Sequence, residues 1–149
     1  MVGVEIHGDL SSRFLTVSLQ DILPCLQAPE TTQWCLLYFE AWSSQTWAVE
    51  GLSDLSEYDN EVNQSPNGII VTLHQVHQLA QAPTQIINLV LAGSAQAATL
   101  HRYEQPEQLY ACCDYVLEVV DSSYLLVHSS DQRFIECLRT RLEGVKTVL

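Results

Sequence analysis

The sequence predicts an α+β domain: a mostly antiparallel sheet of about five to six strands with helices packed on a face. Three observations carry that expectation. Short segments with apolar residues at every second position recur, two nearly continuous apolar runs occupy 33–42 and 86–92, and a C-terminal stretch has an apolar stripe at helical spacing. The 149 residues suit one domain, 1–149, and no repeat, low-complexity tract or linker divides them.

Taken in order, VGVEIH places Val2, Val4 and Ile6 on one face, which is strand periodicity. GDLSSR supplies turn residues, and FLTVSL alternates again through Leu15, Val17 and Leu19, so a hairpin is expected near 2–19. Ser18 with Asp21 three positions on is a capping signal for a helix near 18–27, shortened by Pro24. QWCLLYFEAW is apolar on both alternating faces, the pattern of a strand covered on both sides. With SSQ as its turn and TWAVEG as its return, it predicts a second hairpin near 33–50. Residues 52–68, LSDLSEYDNEVNQSPNG, combine acids with turn formers and are expected to be an acidic loop closed by Pro66-Asn67-Gly68.

Ile69, Leu73, Val76 and Ala80 recur at three and four, predicting a helix near 69–82 with Thr72 as a cap and Pro83 as its stop. IINLVLA is the second central-strand candidate. A helix near 105–113 opens at Pro106, which suits a first helical turn. DYVLEVV and YLLVH then form a third hairpin near 114–128. Its register decides its chemistry. A two-residue loop at Ser122-Ser123 sends Glu118 and His128 to opposite faces, whereas a three-residue loop at 121–123 puts them on one. Finally, Ser129 with Gln132 resembles a capping box for a helix near 130–144, where Phe134, Leu138, Leu142 and Val145 form the stripe and Gly144 the C-terminal stop.

Charge narrows function more than any motif does. Six Lys and Arg against eighteen Asp and Glu give a net charge of −12, and up to His101 the only cation is Arg13. Such a field repels phosphate backbones, so no nucleic-acid partner is expected. No segment has the apolar length of a membrane helix, and MVGVEIHGDL lacks the basic and apolar regions of a secretory leader, so a cytoplasmic protein is expected. The five cysteines (Cys25, Cys35, Cys112, Cys113 and Cys137) fit that compartment as buried free thiols, without zinc-type spacing. A redox or nucleophilic role is the alternative for Cys112 and Cys113.

Each chemical motif fails a specific requirement. His74 and His77 share a helix face at i, i+3 but lack the H-E-x-x-H arrangement and a third ligand, so no metal or cofactor is expected. Glu118 and His128 lack a nucleophile and an oxyanion donor. LAGSA has neither the second Gly nor the Lys-Ser/Thr of a phosphate loop, and its adjacent Gly93 and Ser94 fail the nucleophile-elbow pattern. What remains is surface. Asp54, Glu57, Asp59 and Glu61 gather around Tyr58, with Trp42 and Trp47 nearby as aromatic anchors. These residues predict a non-enzymatic interaction module, or adaptor, that meets a basic protein partner. The size, acidity and hairpin-rich pattern resemble, as a class, compact bacterial immunity or antitoxin-type proteins, with no diagnostic residue. The alternatives are a small metal-dependent enzyme or sensor built on His74/His77 or Glu118/His128, and a homodimer formed through exposed Trp or an edge strand.

Overall fold

The computed structural model describes residues 1–43, 55–81, 83 and 85–148. The elements are β1 (Val2–Ile6), α1 (Leu19–Ile22) with a 3-10 turn at Leu23–Cys25, β2 (Gln33–Trp42) and α2 (Leu55–Gln64). Next come β3 (Ile69–Val71), α3 (Leu73–Gln81), β4 (Gln85–Ser94), a 3-10 turn at Ala97–Thr99 and α4 (Pro106–Cys112). The chain ends in β5 (Tyr115–Val120), β6 (Tyr124–Ser129), α5 (Gln132–Arg141) and β7 (Val145–Val148). The strands form one seven-stranded sheet in the order β3-β2-β4-β5-β6-β1-β7, and every neighbouring pair is antiparallel. The α+β class holds, with a strand count slightly above the expected five to six.

Alternation along the strands divides the sheet into two unequal faces. On one, Val4, Ile6, Leu36, Phe39, Leu89, Leu91, Leu117, Leu125 and Val127 meet Ile22, Tyr58, Val62, Leu79, Phe134, Ile135 and Leu138 from the helices. On the other, Cys35, Leu37, Ala92 and Val116 are covered by Leu100, Leu109 and Cys113. Among the described residues this second layer is small, which leaves that face partly open. Helix α5 shows what packing decides. Its sequence is mostly polar, yet Phe134, Ile135 and Leu138 are buried, each worth ~1.5–3 kcal/mol on leaving water. That burial outweighs propensity in a helix this short.

Several expected elements take a different form. The 2–19 hairpin is absent: β1 already has β6 on one edge and β7 on the other, which leaves no slot for 14–19. Instead, Asp9 N–H donates to Thr16 Oγ1 at 2.8 Å, and Leu15 and Val17 pack against the core without pairing. Strand β2 forms as read, but its neighbours are β3 and β4; the return strand proposed around 44–50 lies outside the described residues. Within the expected acidic loop at 52–68, residues 55–64 are helical, because Tyr58 and Val62 at i, i+4 supply the buried stripe. The helix expected at 69–82 starts only at Leu73, after the short strand β3. Thr72 caps it as expected, accepting from Gln75 N–H at 3.1 Å while Gln75 Oε1 accepts from Thr72 N–H at 2.9 Å.

The terminal helix ends at Arg141, and Val145 belongs to strand β7. Gly144, at φ +67, makes that change of direction. A Cβ there would lie 2.5 Å from Gly8 O, and its carbonyl accepts from His7 N–H at 2.9 Å. The cap of α5 is Asp131, whose Oδ1 accepts from the N–H groups of Arg133 and Phe134. Ser129, read as the cap, instead donates to Asp114 O and accepts from Asp131 N–H. The cysteines also need correction. Cys25 and Cys137 form a disulfide, Cys112 is exposed, and only Cys35 and Cys113 are buried free thiols.

Candidate functional site

Strand β3 is three residues long and pairs with β2 only at Trp34–Leu36, so the rest of that β2 edge needs other partners. Helix α2 supplies them. Asn63 Oδ1 accepts from Phe39 N–H at 2.9 Å, and Asn63 Nδ2 donates to Phe39 O at 2.9 Å, reproducing a strand pair with one amide side chain. One helical turn earlier, the Asp59 carboxylate accepts from Ala41 N–H. Four residues of helix rise ~6 Å and two residues of strand ~6.6 Å, so side chains at 59 and 63 match backbone groups at 41 and 39.

Arg102 closes the other end of α2. Its guanidinium donates to Val62 O at 2.9 Å, to Ser65 O at 3.1 Å and to Leu37 O. A cation on the last carbonyls of a helix is favoured by the helix dipole as well as by the hydrogen bonds. Residues 14–132 contain fourteen Asp and Glu and a single cation, Arg102, which this clasp occupies. Arg133, Arg139, Arg141 and Lys146 sit on α5 and β7, at the opposite edge of the sheet from α2 and β3. Charge is therefore unevenly placed: four cations lie on α5 and β7, while Arg13 lines a cleft with Gln85, the strand partner of Trp42.

The sequence-predicted contact residues divide on this edge. Glu57 and Glu61 are exposed on α2, and Trp42 is 54% exposed at the end of β2. Tyr58 is corrected from surface anchor to core residue: it is 1% exposed, with its ring edge-on to Phe39 at 5.6 Å. Asp59 is half-buried; burial pushes its carboxyl up to about 6, opposed by the Ala41 hydrogen bond and helped by the charge of Glu40. Asp54 and Trp47 lie outside the described residues. Sequence reasoning missed Tyr38 and Ile70, exposed on β2 and β3, because their apolar character resembled core.

A second grouping answers the register question. Strands β5 and β6 pair Val116 with His128, Glu118 with Leu126 and Val120 with Tyr124, leaving the three-residue turn 121–123. Asp121 and Ser122 both take positive φ there. Glu118 and His128 therefore share the partly open face. Tyr110 from α4 joins them: its hydroxyl donates to Glu118 Oε2 at 2.7 Å, and its ring stacks on His128 at 3.6 Å and 9°. Gly3 makes room for the imidazole, since a Cβ there would sit 2.5 Å from His128 Nε2. Burial raises the Glu118 carboxyl, against the Tyr110 hydrogen bond, and lowers His128, so both favour their neutral forms. The three groups hold one another in place, and burial together with Glu118 pushes the Tyr110 hydroxyl further from its phenolate form.

The other candidates supply less. His74 and His77 are exposed on α3, and among the described residues no group of three or more His, Cys, Asp or Glu is placed to hold a metal ion. Cys113 is packed, its thiol donating to Thr99 O at 3.6 Å, and burial pushes it up to about 11, which disfavours the thiolate. A cleft of about 610 Å³ beside the Cys25–Cys137 disulfide contains Asp114 and Asp131, both engaged in backbone hydrogen bonds. No helix among the described residues is long and apolar enough to cross a membrane. Compared with models of known families, with curated proteins and with solved structures, the chain has no match.

Proposed function

We propose that this protein is a non-enzymatic interaction module that binds a basic protein partner through its α2/β2 edge. The observation that carries the reading is the charge layout: Glu57 and Glu61 stand exposed on α2, Trp42 is exposed at the end of the adjoining β2, and the only cation in residues 14–132 is tied to backbone carbonyls. An exposed tryptophan and exposed carboxylates on adjoining elements suit an interface with an aromatic anchor and a charged rim. The field favours rapid capture of a positively charged surface. The cytoplasm is the proposed compartment, and the Cys25–Cys137 pair tests it, because a cytosolic pool keeps most such pairs reduced. A homodimer is the less favoured assembly, since the outer strands β3 and β7 offer only three and four residues for pairing.

Capture from an extract of the native host tests the proposal, with the wild-type chain compared to one carrying Trp42→Ala, Glu57→Lys and Glu61→Lys. The expected result is a basic protein retained by the wild type and lost from the variant. A partner retained equally by both would move the interface elsewhere.

A further inference from the structure

Where α2 ends, Arg102 leads from its carbonyls into a small cleft of about 230 Å³ on the partly open face of the sheet. Leu37, Val90 and Leu109 give it apolar walls, Tyr38 and Tyr103 contribute aromatic rings, and Glu118 lines it from β5. We propose that this cleft is a lysine pocket, in which the aliphatic stem of a partner's lysine lies between the tyrosines and its ammonium meets Glu118. The inference rests on the interaction-module reading and specifies what the basic partner inserts.

Four features support this occupant. The volume falls below the ~300–1,000 Å³ of pockets for drug-sized ligands and suits one long side chain. The wall chemistry follows the side chain, apolar and aromatic along the stem and a carboxylate for the charged end. Glu118 is half-buried and its single hydrogen bond from a side chain is the one from Tyr110, so burial disfavours its charge until an arriving ammonium pairs with it. Arg102 does not fill that role, because its guanidinium points to the backbone carbonyls of Leu37 on β2, Val62 on α2 and Ser65 just beyond it. Lysine is preferred to arginine because Tyr110 already occupies Glu118 Oε2, which disfavours a two-oxygen guanidinium fork and leaves room for a point-like ammonium.

The test titrates the isotope-labelled full chain with N-acetyl-lysine methylamide and follows backbone amide shifts. The norleucine analogue, which has the stem without the charge, and the arginine analogue serve as comparisons. The lysine probe is expected to shift amides along Leu37–Tyr38, Val90, Tyr103–Leu109 and Glu118, the arginine probe to bind more weakly, and the norleucine probe to leave them unmoved. Glu118→Gln, which keeps an acceptor for Tyr110, should weaken the lysine probe by about tenfold, the equivalent of one charge-assisted hydrogen bond. Should that variant not fold, Tyr38→Ala at the exposed wall is expected to weaken it about threefold through lost cation–π and stem contact. Equal response to norleucine, shifts confined to other regions, or unchanged affinity in the substituted chain would overturn the pocket. Glu57→Lys with Glu61→Lys should leave probe binding within about twofold, since both lie off the cleft and act only through a screened field. A filled pocket combined with failed partner capture therefore counts against the interface reading alone.

Discussion

Replacing Arg102 with methionine separates the clasp from mere packing, because methionine keeps an apolar stem and removes every donor. In the native chain the guanidinium serves the carbonyls of Leu37, Val62 and Ser65, joining β2 to the end of α2. A hydrogen bond to a charged group contributes ~1.5–3 kcal/mol, so three independent ones would sum to ~5–9 kcal/mol. They are not independent, and water reaches the half-buried carbonyls once the guanidinium is gone. The expected loss is therefore about 3–4 kcal/mol, a large share of the ~5–15 kcal/mol that holds a typical domain together. Urea unfolding followed by tryptophan fluorescence measures it, and hydrogen exchange at 62–65 reports whether the end of α2 opens first. Arg102→Lys should fall between, since one ammonium cannot span three carbonyls. A loss under ~1 kcal/mol for the methionine variant, with exchange unchanged, would refute the clasp.

Asp59 gives a prediction in pH. Its folded value of about 6 lies above the ordinary 3.8, so between those values the unfolded chain has released a proton that the folded chain still holds. Stability should fall as pH rises through that window and then level off. Asp59→Asn, which retains an acceptor for Ala41, should gain on the wild type from pH 4 to pH 7 in thermal melts; a constant difference would remove burial of the charge as the cause. The disulfide links positions 112 apart, and loop-closure entropy places its contribution near ~5 kcal/mol as an upper value. Cys25→Ser with Cys137→Ser should lower the urea midpoint, as reductant should in the wild type. Alkylation of freshly opened host cells then reads the compartment, with unreacted Cys25 and Cys137 contradicting a cytoplasmic home.

Much of the sheet was legible because it depends on local pattern. The apolar runs of β2 and β4 and the β5–β6 hairpin appear where periodicity placed them, and the choice between two hairpin registers was narrowed to the length of one turn. What stayed hidden depends on contacts between distant residues. Among its described side chains, helix α2 buries Tyr58 and Val62, and its polar side chains at 59 and 63 gain meaning only beside the open edge of β2. Val145 continues the helical stripe of α5 by spacing, yet the free edge of β1 draws it into β7. Arg102, in a segment without period, gives no local sign that it will close the end of a helix 37 to 40 residues earlier in the chain. Cys25 and Cys137 look like isolated thiols until the turn after α1 meets α5. For the site, the acidic residues were readable as composition. Which of them face water was not: Tyr58 is core, Asp59 is a strand-edge acceptor, and Glu57 and Glu61 remain outside.

The most direct measurement of the central claim is the dissociation constant of the captured partner, by calorimetry, for the wild type and for Glu57→Lys with Glu61→Lys at low and high salt. Reversing two charges on the acidic edge is predicted to weaken binding by about tenfold or more at low salt, with the gap narrowing as salt screens the field. Equal affinities for the two chains at both salt concentrations would contradict it.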